Sequence, residues 1–86
     1  MKITLHLQQF KLKEGTKTAY QLVEEETREV SEQEHFNAVD AAPWFRKLGG
    51  SETLTRAYTK RGYKVVRIVS KSPDRTQKNI REYTFE

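Results

Sequence analysis

The stretch Lys60 to Arg81, KRGYKVVRIVSKSPDRTQKNIR, sets eight Lys and Arg against Asp74, a net charge of +7 in twenty-two residues. Tyr63 lies within it, and Tyr58 and Tyr83 flank it. Ammonium and guanidinium groups neutralise phosphates, and aromatic rings stack on exposed bases, so this mixture suits single-stranded or structured nucleic acid. The candidate contacts are Arg56, Tyr58, Lys60, Arg61, Tyr63, Lys64, Arg67, Lys71, Arg75, Lys78 and Arg81. A second reading of the same residues requires no ligand, because edge strands carry Lys and Arg to discourage sheet-to-sheet aggregation.

The opposite charge gathers earlier. Glu24 to Glu34, EEETREVSEQE, has six glutamates against Arg28, a net of −5 in eleven residues. In the simplest account the acidic and basic segments attract one another within the fold. The alternative function belongs to a different class, an interaction or inhibitor module that docks on a partner protein by charge. Its contacts would be Glu24, Glu25, Glu26, Glu29, Glu32 and Glu34, or the basic stretch itself. Charge matching of this kind gives fast association and selectivity more than raw affinity.

Catalytic chemistry finds little support. His6 falls on the polar beat of an alternating segment, and His35 sits among glutamates with which it would form a local ion pair. The two have no metal-ligand spacing, and the absence of cysteine removes thiolate catalysis, thiolate metal sites and disulfides together. No nucleophile elbow, phosphate-binding loop or dinucleotide fingerprint occurs. Gly49-Gly50 follows a helical pattern instead of opening one, so it offers no N–H cradle to a phosphate. Contiguous carboxylates at a helix start read as solvated caps, not as cation ligands. The expectation is a non-enzymatic binding protein without metal or cofactor.

The elements that must position these side chains follow from periodicity. Ile3, Leu5 and Leu7 alternate with polar residues as in a half-buried strand, and the phase slips at Gln8-Gln9, where a bulge would return Phe10 and Leu12 to the inward face. Lys13 to Lys17 is a polar turn, and Thr18 to Glu24 completes an N-terminal hairpin over 1–24, with weaker strand signal on to Val30. Ser31-Glu32-Gln33-Glu34 has the form of a capping box. Phe36, Val39 and Trp44 or Phe45 then recur at helical spacing, with Pro43 a break or new start and Gly49-Gly50 the stop. This predicts a helical segment over 31–48, with Trp44 packed in the core.

Three strands are expected over 53–85. Arg61-Gly62 suits a two-residue turn, and Ser72-Pro73-Asp74-Arg75 suits a type I turn. A two-residue turn places Arg56 opposite Arg67, Tyr58 opposite Val65 and Leu54 opposite Val69. Two facing arginines repel, so a carboxylate, an anion or water must compensate. Two registers of the last strand remain open. One sets Glu82 beside Arg67, and the other sets Arg81 there and makes an external anion attractive.

Eighty-six residues with a hydrophobic share of 35 % suffice for one small domain with a modest core. The fold expected is α+β, in ββαβββ order, with one helical segment across an antiparallel sheet. The alternating start of the chain predicts no secretory signal, and no apolar run is long enough for a membrane helix. A cytoplasmic protein is expected.

Overall fold

The computed structural model describes residues 2–31, 42, 44–45 and 48–86. Five antiparallel strands account for most of them: β1 (Ile3–Leu12), β2 (Tyr20–Val30), β3 (Glu52–Lys60), β4 (Tyr63–Lys71) and β5 (Gln77–Phe85). They form one sheet in the order β2-β1-β5-β4-β3. The last strand therefore lies between β1 and β4 and joins the N-terminal hairpin to the C-terminal meander.

The α+β expectation is corrected to an all-β sheet, with no helix among the described residues. Most of the helical segment expected over 31–48, including the capping partner Glu34, lies outside them. The described members do not support it. Ser31 directly follows β2, and Ala42, Trp44 and Phe45 form a turn closed by the Phe45 N–H donating to the Ala42 carbonyl at 2.9 Å. Local capping and spacing signals are weak priors that tertiary packing overrides. Here the packing is apolar. Ala42 and Phe45 are buried and Trp44 is half-buried against the core, with its ring edge-on to Phe45 at 5.9 Å.

Alternation along each strand assigns the side chains to two faces. On the core face Ile3, Leu5 and Leu7 of β1 meet Val30 of β2 and Tyr83 and Phe85 of β5, with Ile68 of β4 packed alongside. Ala42, Trp44 and Phe45 cover this cluster. Burial pushes the Tyr83 hydroxyl above its usual pKa, with Arg81 opposing the rise. Tyr83 thus belongs to the core and offers no ring to a base.

The irregularity expected in β1 belongs to β2. Gln9 pairs with Glu24 and Phe10 with Leu22, which leaves Val23 as the extra residue, while β1 pairs with β5 without a slip. Strand β1 therefore keeps its alternation, and Phe10 and Leu12 turn to the second face instead of returning to the core. Strand β2 also runs on through Val30, because a paired β1 extends beside it and supplies ladder partners for its glutamates.

Gly50 illustrates how closely the covering segment meets the sheet. A Cβ built there would fall inside contact distance of the Lys71 carbonyl oxygen and only 2.8 Å from the Ser72 carbonyl carbon. The Lys71 N–H donates to the adjacent Ser51 carbonyl at 2.8 Å, so neither backbone is free to retreat. Gly50→Ala is expected to destabilise by about 1–3 kcal/mol, as other overpacked sites do. Leu54→Ala, at a side chain 59 % exposed, should stay within roughly 0.5 kcal/mol of the parent. Chemical denaturation of both variants checks the contrast.

Candidate functional site: the polar face of the sheet

The β3–β4 connection is the two-residue turn expected. Arg61 and Gly62 both have positive φ, at 53° and 82°, and Lys60 pairs with Tyr63. Arg56 then lies opposite Arg67 and Tyr58 opposite Val65. A bulge at Thr55 moves the next pair, so Leu54 meets Ile68 instead of Val69. The Thr55 hydroxyl donates to the Arg67 carbonyl at 3.1 Å and fills the gap this leaves in the ladder.

Strand β5 takes the register that sets Glu82 beside Arg67. One carboxylate oxygen, Oε2, accepts Arg67 Nε at 2.9 Å, Arg67 Nη2 at 2.6 Å and the Tyr58 hydroxyl at 3.3 Å. The Arg56 guanidinium rests 4.7 Å from the centre of the Tyr58 ring. The facing arginines are thus separated by chemistry. Arg67 is spent on Glu82, and Arg56 is drawn onto a ring face where the quadrupole favours a cation. The row continues to His6 of β1, which faces Glu82 across the strands but bonds Glu25 of β2 at 2.6 Å.

The sequence-predicted cations divide into three sets. Arg67 and Arg81 are ion-paired, Arg81 with Glu52 from the core face. Arg56, Lys64 and Lys78 lie over rings, with Lys78 Nζ 4.4 Å from the centre of Tyr20 and 5.1 Å from that of Phe10. Lys60, Arg61, Lys71 and Arg75 have no carboxylate partner among the described residues. They stand at the two ends of β4, roughly 27 Å apart at about 3.4 Å per residue. Tyr63 is exposed beside the first pair. Phe10 and Tyr20 were not singled out from the sequence as site residues. Phe10 reaches this face by the unbroken alternation of β1, and Tyr20 by the register shift in β2.

The described glutamates of the acidic segment do not neutralise these cations. Its described part lies in β2, at the edge of the sheet opposite to β3. Glu25 and Glu29 share the polar face, and Glu24 and Glu26 the core face, where Glu26 accepts from Arg28 at 3.0 Å. Glu32 and Glu34 lie outside the described residues, as does His35. Four strand spacings separate β2 from β3, about 19 Å. That is about twice the distance over which physiological salt screens exposed charges. The expected attraction between the two segments is therefore replaced by separation. On the polar face of β3, β4 and β5, Arg56, Lys60, Arg67, Lys71 and Lys78 meet Glu82 alone among carboxylates.

The β4–β5 turn is tightly held. The Asp74 carboxylate accepts from the Ser72 hydroxyl at 2.7 Å, the Thr76 hydroxyl at 2.8 Å and the Thr76 N–H at 3.1 Å. These bonds hold its pKa below the usual carboxylate range. The turn's contribution to stability is accordingly present above the ordinary Asp value of about 3.9 and is lost as pH falls through the lowered value.

Arg67→Ala should cost more than the ~0–1 kcal/mol of an exposed ion pair, about 1–3 kcal/mol, because it strips a half-buried carboxylate of two charged donors. Glu82→Gln should cost a similar amount, and the double variant less than the sum. Denaturant midpoints of the three variants measure this coupling. No family model, characterised protein or solved structure matches the chain, so what the polar face does is read from its geometry.

Proposed function

We propose that this chain is a non-enzymatic binding protein that takes single-stranded nucleic acid across the β3–β4–β5 half of its polar face. The observation that supports this most is the separation of charge: the cations of the meander lie on β3, β4, β5 and their turns, and the described glutamates of β2 at the opposite edge of the sheet. A charge that the fold leaves uncompensated attracts a polyanion.

The geometry makes phosphate contact the main term and base stacking a minor one. Tyr83 is buried, and cations already cover a face of Tyr58 and of Tyr20, which leaves Tyr63 as the exposed ring of the original set. The outward surface of Arg56 over Tyr58 is itself planar and can receive a base. Such a surface discriminates little between sequences. Among the described residues no helix is long and apolar enough to cross a membrane.

The four cations without a carboxylate partner among the described residues, each reading a single-strand phosphate, give a log–log salt slope of about −2.8, at roughly −0.7 per phosphate. Affinity for a labelled single-stranded DNA or RNA decamer should then fall about 50-fold between 50 and 200 mM salt. Fluorescence anisotropy measures it. Lys60→Gln with Arg61→Gln should flatten the slope by about 1.4 units. Absence of binding at the lowest salt, or an affinity indifferent to salt, overturns the proposal and favours a protein partner.

A further inference from the structure

A pocket of about 240 Å³ opens where the ends of β3 and β4 meet the β4–β5 turn, lined by Ser51, Thr53, Thr55, Val69, Lys71 and Arg75. Its composition is that of an oxyanion receptor, with two cations and three hydroxyls around one apolar side chain. We infer that it is a phosphate-binding subsite, an inference that rests on the nucleic-acid reading for the source of its ligand, a backbone phosphodiester.

Three observations support the inference. Lys71 and Lys78 pair directly across β4 and β5, a like-charge arrangement that repels. Lys78 is drawn away to the rings of Phe10 and Tyr20, so Lys71 is the one left at the pocket. Arg75 has φ of 62°, a left-handed conformation that disfavours a side chain with Cβ and in which glycine is at ease. An arginine there carries a conformational cost that a glycine would avoid, and such costs cluster at functional sites.

The third observation concerns rigidity and the nearest competing charge. The Arg75 N–H donates to the Ser72 carbonyl at 3.0 Å, and the Arg75 carbonyl accepts the Tyr20 hydroxyl at 2.8 Å. The backbone that carries the guanidinium is thus fixed from β2 as well as from its own turn. Asp74, the adjacent carboxylate, is bonded within the turn to Ser72 and Thr76. The Thr55 hydroxyl donates to a ladder carbonyl, so Ser51 and Thr53 are the hydroxyls that can donate to a bound oxyanion. A tetrahedral phosphate oxygen set suits two cations and two hydroxyl donors converging from different strands.

The test uses the full chain, inorganic phosphate as probe, and amide NMR. Phosphate should move the amides of Ser51, Thr53, Lys71 and Arg75 saturably, and Lys71→Gln should abolish the response. Arg75→Gly separates function from folding. It should melt no lower than the parent, because it relieves the left-handed backbone, yet lose the phosphate response. In the decamer assay each variant should flatten the salt slope by about 0.7. A response unchanged in Arg75→Gly and Lys71→Gln, with an unchanged salt slope, overturns the subsite while leaving the polar face as a nucleic-acid surface. A phosphate response at the pocket without decamer binding at low salt retains the subsite, assigns it to free phosphate or a phosphomonoester, and overturns the nucleic-acid reading.

Discussion

The register of β5 between β1 and β4 fixes everything else in the sheet. A slip of one residue would turn Tyr83 and Phe85 out of the core and bring Glu82 into it, since side chains alternate strictly along a strand. Both neighbours oppose such a slip. Tyr83 is packed beside Leu5 on one face, and Glu82 holds Arg67 and Tyr58 on the other. The turn before β5 sets the same alignment from its own bonds, with the Gln77 N–H donating to the Ser72 hydroxyl at 3.0 Å and the Ser72 N–H to the Gln77 carbonyl at 3.0 Å. Core packing, ion pairing and turn chemistry agree on one register, and consistency across levels is what makes a sequence specify a structure.

Glu82 also explains why two arginines can face each other mid-sheet. Its carboxylate lies on the central strand, where partial burial weakens screening and strengthens each hydrogen bond to it. Arg56, left without a share of it, turns to Tyr58, whose own hydroxyl is already held by the same carboxylate. One acidic residue thereby organises three side chains from two neighbouring strands, Arg67 of β4 and Tyr58 and Arg56 of β3. Val65 lies buried on this face, with Tyr58 opposite it on β3 and Thr84 on β5.

Short-range signals were the legible part of the fold. Arg61-Gly62, the Ser72 to Arg75 turn and the valine-rich β4 each depend on a handful of neighbouring residues, and each stands where the sequence predicts it. The helix does not. Ser31 to Gly50 carries helix punctuation, but what its described residues bury is decided by a sheet whose strands come from both ends of the chain. The length of β2 and the placement of Phe10 were illegible for the same reason, because a bulge at Val23 is set by pairing with β1. At the polar face the basic residues could be named from composition. Which of them the fold neutralises could not, since Glu52 reaches Arg81 and Glu82 reaches Arg67 only once the strands are paired.

The strand order turns a chain with an acidic middle and a basic end into a sheet polarised from edge to edge. Between the two charged regions lies β1, whose polar-face residues Thr4, His6 and Gln8 carry little charge. On the proposed reading, a polyanion approaching the polar face would be attracted at β3–β5 and repelled at β2, which would confine its path to the meander. Such repulsion would not add affinity, but it would remove binding modes across the whole sheet and orient the proposed ligand along β4. On the proposed reading, cations at both ends of that strand, one pair at the Arg61 turn and one at the Arg75 turn, would meet phosphates roughly 27 Å apart along one bound strand.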